Sequence, residues 1–243
     1  MTRNSFPPAL LLILALAFVL APAFTPPFMG YLSGQLPVDV GRPAIQPAGY
    51  AFSIWGLIYA WLIVHAAFGL LRRRADQAFA VVRPSLMLSL ALGTIWLALA
   101  SGWPLAAMAV IAVMAVATIY SFLLADPVQD RWLLSAPLSV YAGWLTAATA
   151  VSAGVLLAGY GWLDNQTTAF AMIGTATLVG LMVQALRPLA PGYGATLVWA
   201  LVAVYQVNRG DLTDVATTAA AAALLVTLAT AVLFWRARAR AAR

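Results

Sequence analysis

The chain has 243 residues, 64% of them hydrophobic and only 8% charged, roughly a third of the charge density of an average soluble domain. With a mean hydropathy of +0.93 and repeated apolar runs of about 20 residues, a water-soluble domain is excluded and the bilayer takes the part of solvent. Zero cysteines, a single histidine, seven aspartates and no glutamate exclude disulfides, thiol catalysis, iron–sulfur clusters and zinc or di-iron carboxylate sites, so no metal site is expected.

Apolar runs bounded by Pro, Gly and charge predict eight membrane helices, at about 7–24, 50–71, 84–101, 104–124, 133–158, 168–187, 193–208 and 215–235. The expected fold is an all-α polytopic bundle. The first span ends in Ala21-Pro22-Ala23, which reads either as a signal-peptide cleavage site or as the end of a retained helix. Residues 25–49 carry Pro26, Pro27, Gly30, Gly34, Pro37, Gly41, Pro43 and Pro47, a composition that cannot continue a helix. A connection this long is a lid over a binding site or an inert spacer. Its only charges, Asp39 and Arg42, are spaced to pin a turn. Asn165-Gln166-Thr167 has the form of a glycosylation acceptor, and Pro/Gly breaks at Arg187-Pro188 and Pro191-Gly192 allow a discontinuous helix.

All thirteen basic residues are arginines, and they fall at the ends of apolar segments rather than in an aromatic-interleaved stripe. The pattern is that of membrane topology and gives no support for nucleic acid as a partner. With the N-terminus cytoplasmic, that side holds Arg3, Arg72, Arg73, Arg74, Arg83, Arg131, Arg187, Arg236, Arg238, Arg240 and Arg243, eleven against Arg42 and Arg209 outside. Both termini are therefore expected in the cytoplasm, with a bacterial inner membrane as the setting and membrane lipid as the first partner. The tail RARARAAR is a stop-transfer anchor or an anionic-lipid contact.

No HExxH, GxSxG, Walker or Rossmann pattern occurs, and no catalytic residue is expected. Within the spans only His65 is ionisable, and near a helix end it reads as an interfacial histidine or a proton relay. The aromatic residues are more telling. Trp103, Trp132, Trp162 and Trp235 stand near helix ends as interfacial anchors. Phe52, Trp55 and Tyr59 follow i, i+3, i+7 spacing along the second span, and Tyr141, Trp144 and Ala148 repeat it in the fifth. Trp96 adds an indole inside the third. Such stripes are ordinary packing or the lining of a shared cavity for a flat apolar ligand.

The segment PAGYAFSIWGLIY, Pro47 to Tyr59, resembles the helix-2 signature of the TspO/MBR family, the tryptophan-rich sensory or translocator proteins, with Pro47, Tyr50, Phe52, Trp55 and Tyr59 matching. LALGTIW resembles that family's Leu-Asn-x-x-Trp motif, with Trp96 matching and Gly93 standing where the family has Asn. YAGWLTAAT resembles its Tyr-x-x-Trp-x-x-x-Ala-Thr pattern through Tyr141, Trp144, Ala148 and Thr149, with Ser152 in place of a following Asn. The resemblance covers about residues 7–158, so the expected division is a five-helix bundle over 1–158 and three additional membrane helices with a basic tail over 159–243. It implies a pocket lined by Tyr50, Phe52, Trp55, Tyr59, Trp96, Tyr141, Trp144 and Ala148 that binds a planar hydrophobic small molecule, a porphyrin or haem-like tetrapyrrole, for sensing or regulation. The alternatives are transport of small apolar or amphiphilic solutes and, as the one enzymatic option, photo-oxidation of a bound porphyrin; the oligomeric state stays open, a homodimer included.

Overall fold

The computed structural model describes residues 7–25, 30–31 and 34–241; Arg3, Pro26, Pro27 and Arg243 of the readings above lie outside them. The described residues form eight α-helices: α1 (Pro8–Leu20), α2 (Ile54–Leu71), α3 (Gln77–Gly102), α4 (Pro104–Leu124), α5 (Ser135–Gly159), α6 (Asn165–Leu186), α7 (Gly192–Asn208) and α8 (Thr213–Ala241). Six are long and apolar enough to cross a membrane: α3, α4, α5, α6, α8, and α2 together with the 3-10 turn Gly49–Ser53 before it. The α1 region, Pro8–Phe24, is a shorter apolar helix. At 29 residues, α8 is about 43 Å long against a hydrocarbon core of about 30 Å. Arg236, Arg238 and Arg240 thus ride on a rigid helical extension and not on a loose tail.

Several helix ends differ from expectation, each for a local reason. Helix α3 begins at Gln77, seven residues before the expected start, because the Asp76 side chain caps it by accepting from the Ala78 amide at 2.9 Å. Pro84 therefore lies inside the helix, where its ring removes one backbone bond without ending the run. Arg83 is likewise helical and buried, and its guanidinium turns back to donate to the carbonyls of Arg73 and Arg74 at 3.1 and 3.0 Å. Helix α6 begins at Asn165 rather than 168 because Asp164 caps it, accepting from the amides of Gln166 and Thr167 at 3.0 and 2.9 Å.

The chain divides into two compact units, Met1–Phe28 with Ile54–Ala142, and Met29–Ser53 with Gly143–Arg243. In the first, α3 packs along α4 and α1 packs on both α2 and α3. One end of this unit is held by a clasp between connections. Arg73 donates through Nε to Asp130 Oδ2 at 2.6 Å, Gln129 Nε2 donates to Asp76 Oδ2 at 2.7 Å, and Trp61 Nε1 donates to the Trp132 carbonyl at 2.8 Å. Asp130 adopts a left-handed conformation with φ of 46°, which Asp tolerates better than most residues. His65 belongs to this clasp. It is 1% exposed, stacks on Phe79, and sets Nδ1 2.7 Å from the Leu133 carbonyl, which fixes the proton on Nδ1. The expected interfacial histidine is thus a packed one.

In the second unit α7 and α6 both pack on α8. Lipid tails are as apolar as leucine, so helices associate here by close approach and hydrogen bonding rather than by a hydrophobic drive. Gly143 shows the closeness required: a Cβ there would lie 2.5 Å from the Tyr193 carbonyl oxygen. The turn from α6 to α7 is closed by buried Gln184, whose Nε2 donates to the Arg187 carbonyl at 3.1 Å while Oε1 accepts from the Gly194 amide at 3.0 Å. The Pro/Gly break thus joins two separate helices, at the boundary the apolar runs predict.

The Pro/Gly-rich segment before α2 is a strap fastened to this unit. The Val38 amide donates to the Gly159 carbonyl at 2.8 Å and the Ala48 amide to the Ala203 carbonyl at 3.1 Å. Asn208, fully buried, donates from Nδ2 to the Ala44 carbonyl at 2.8 Å and accepts from Arg42 Nη1 at 3.1 Å. Asn165 accepts from the Ala44 amide at 2.8 Å and donates to the Arg42 carbonyl at 3.1 Å, so its side chain is engaged where a glycosylation acceptor would need it free. Asp39 pins its turn by accepting from the Gly41 amide at 2.9 Å, and Arg42, expected to answer it, reaches Asn208. With Ala44, Ile45 and Ala51 buried, this is a packed element rather than a lid that swings freely.

Two outcomes follow. Asn208→Ala removes the donor to a buried carbonyl and the acceptor for Arg42, which costs about 1–3 kcal/mol and lowers the melting temperature in detergent. Thr218→Ala, whose hydroxyl only bonds back to the exposed Asp214 carbonyl, should leave it unchanged, and equal melting of both variants would show that the strap is held otherwise. At the α6 cap, the Thr167 hydroxyl and amide, then the Gln166 amide, hold the Asp164 carboxyl below the usual carboxylate range. Its contribution is therefore present above the unfolded value of about 3.9 and is lost as pH falls through the depressed one. Melting of wild type and Asp164→Asn across pH 2 to 7 should show an advantage for wild type that persists at neutral pH and shrinks only in strong acid.

Candidate functional site

Helix α2 opens directly from the 3-10 turn Gly49–Ser53, and the change of helix type separates residues expected on one stripe. Phe52 lies in the turn, while Trp55 and Tyr59 are one α-helical turn apart on the first two turns of α2. That i, i+4 spacing stacks their rings, with centroids 5.2 Å apart and planes at 26°. Phe18 of α1 sets its edge against both, at 5.8 Å and 77° to Trp55 and at 5.2 Å and 89° to Tyr59. Tyr141, from the start of α5, closes the group at 5.9 Å from Phe18 and 6.4 Å from Trp55. Each edge-to-face or offset pair contributes about 0.5–1.5 kcal/mol beyond area burial. The four rings make an aromatic box within the first unit.

The box has a polar back wall and a glycine floor. The Tyr141 hydroxyl lies 3.1 Å from Ser89 Oγ, which accepts from Thr118 Oγ1 at 2.7 Å, so the buried hydroxyls satisfy one another. Gly93 of α3 is the floor: a Cβ there would lie 2.5 Å from Phe18 Cε2 and 3.0 Å from Met114 Cε. A mid-helix glycine costs about 1 kcal/mol of propensity, and here it makes room for the Phe18 ring. Phe18 and Tyr141 are buried, whereas Trp55 and Tyr59 are half-buried. The box thus presents the Trp55–Tyr59 pair outward and keeps Phe18 and Tyr141 behind it.

The remaining expected site residues are placed elsewhere. Phe52 packs edge-on to Trp144 at 5.9 Å and 86°, and Tyr50 packs edge-on to Trp199 at 5.2 Å and 81°, both within the second unit. The Trp199 indole also donates to the Ala51 carbonyl at 3.0 Å, so α7 orients the turn that carries Tyr50 and Phe52. Ala148 is half-buried on the second-unit part of α5. Trp96 donates its indole N–H to the Ala107 carbonyl at 3.0 Å, tying α3 to α4. Two ring partners, Phe18 and Trp199, were not among the expected residues. Helix α1 is apolar on every side and shows no face from which Phe18 could be singled out; the glycine at position 93 is its one trace in the sequence.

The described residues hold no group of three or more His or Asp side chains able to bind a metal ion. A tetrapyrrole macrocycle does not fit inside the box as folded, because Phe18 fills its centre and is only 4% exposed. What the box offers a planar molecule is the outward face of Trp55 and Tyr59. That arrangement is suited to stacking on apolar rings.

Comparison with known proteins gives one match, a family model described as TSPO-like protein, over residues 8–232. It runs through the last three helices as well as the first five. No curated protein and no solved structure matches the chain. With nearly its whole length inside the family model and six helices able to span a bilayer, the chain is an integral multi-pass membrane protein and belongs to the TSPO-like protein family.

Proposed function

We propose that this protein binds a planar hydrophobic molecule, of the porphyrin or similar flat class, against the aromatic box of its first unit and does so for sensing or regulation. The observation that carries the reading is the four-ring cluster of Phe18, Trp55, Tyr59 and Tyr141, with its Trp55–Tyr59 pair left half-buried. A flat apolar ligand gains stacking there. Phe52 on Trp144 is a second aromatic surface, with Phe52 exposed, and Tyr50, Trp96 and Ala148 are candidate contacts of lower rank.

Titration of the nanodisc-embedded protein with protoporphyrin tests this. Trp55→Ala should weaken binding about tenfold or more, since it removes the apolar contact of the indole as well as about 0.5–1.5 kcal/mol of stacking. Tyr141→Phe keeps the ring and loses only the bond to Ser89, so binding should stay within about threefold. Identical affinities in wild type and well-folded Trp55→Ala would overturn the site. Binding without flux across proteoliposomes is expected, and flux would favour the transporter alternative.

From the arginine asymmetry we infer that both termini face the cytoplasm, with a bacterial inner membrane as the proposed setting. The absence of cysteine makes the check direct, because each introduced thiol is the only one. Gly210→Cys, in the α7–α8 connection, should react with an impermeant maleimide from outside. Ala75→Cys, in the α2–α3 connection, should react only after the membrane is opened, and the reverse result would invert the topology.

A further inference from the structure

We propose that Phe18 is the specificity-determining residue of the aromatic box: its ring holds the ligand's place in the empty protein, and binding exchanges it for one bare aromatic ring of the ligand. The inference rests on the box being the ligand site, and it narrows the ligand class. Phe18 meets every other ring of the cluster, edge-on to Trp55 and Tyr59 and tilted against Tyr141. It is the arrangement that aromatic molecules adopt toward one another, supplied here by the chain itself. Gly93 is shaped to the same ring, since any side chain at that position would collide with it. Behind the ring the Ser89, Thr118 and Tyr141 hydroxyls are bonded among themselves, so an incoming ring leaves no polar group unpaired.

The space released when Phe18 leaves is that of one six-membered ring with an unsubstituted edge. A fused aromatic such as naphthalene can insert such a ring between Tyr141 and the Trp55–Tyr59 pair. A porphyrin, whose pyrrole edges are substituted, cannot, and is confined to the outward face. The exchange replaces ring by ring, with the hydroxyls at the back already paired with one another. The ligand's cost in the wild type is the displacement of Phe18.

The test titrates nanodisc-embedded protein with naphthalene and, separately, protoporphyrin, and follows fluorine NMR of para-fluorophenylalanine incorporated at position 18. Phe18→Ala should bind naphthalene about tenfold or more tightly than wild type, while its affinity for protoporphyrin changes less than about threefold. In the wild type, naphthalene should move the fluorine resonance. Phe18→Leu, which keeps apolar bulk but lacks the ring, is the second variant should Phe18→Ala fold poorly, and it too should gain naphthalene affinity. Naphthalene affinity unchanged or lower in the folded variants, or a stationary resonance with naphthalene bound to wild type, overturns the exchange. If wild type binds protoporphyrin and Trp55→Ala weakens it, but naphthalene leaves the position-18 resonance unmoved, the exchange falls and the box stands as a ligand site; if wild type binds neither probe, the box falls and the exchange with it, so the two failures are distinguishable.

Discussion

Buried backbone amides and carbonyls must find partners, and the long irregular segment at residues 34–53 shows how that constraint organises the second unit. Helices satisfy themselves. Residues 34–53 do so only in part, and further groups are met by side chains and backbone of the helices packed on them: Asn208 and Asn165 on Ala44 and Arg42, Gly159 on Val38, Ala203 on Ala48, Trp199 on Ala51. The helices after α5 thereby acquire a role, since α6 and α7 supply the groups that fix the strap. The strap in turn sets where the 3-10 turn begins and hence the direction of Tyr50 and Phe52.

The bilayer as solvent explains the glycines. Without a hydrophobic difference between lipid and core, stability comes from contact, and contact comes from small residues. At Gly143 the closeness is between helix backbones; at Gly93 it is between a helix and an aromatic ring. The second case shapes the aromatic box. Loss of a side chain from α3 is matched by a phenylalanine from α1, and the aromatic box is filled from within.

The helices were legible because membrane spans are long apolar runs, a signal independent of any partner. Their ends were not, since Asp76 and Asp164 lie in short polar connections where the capping residue is known only once its hydrogen bond is seen. The proline at 84 looked like a boundary and is an interior residue. Of the site, Trp55, Tyr59 and Tyr141 could be named from spacing and resemblance, and the structure brings these three together. Phe18 stayed hidden because α1 is apolar all round, and Trp199 because its value lies in a carbonyl 148 residues away. The separation of Phe52 from Trp55 required knowing that the helix begins as a 3-10 turn.

The most direct measurement is mass spectrometry of small molecules that copurify with the gently extracted protein, run in parallel on wild type and a folded Trp55→Ala, Tyr141→Ala double variant. A planar aromatic or tetrapyrrole species retained by the wild type and lost from the double variant is the predicted result. The same small molecules in equal amount from both proteins, or no planar molecule from either, would contradict the assignment of the aromatic box as a ligand site.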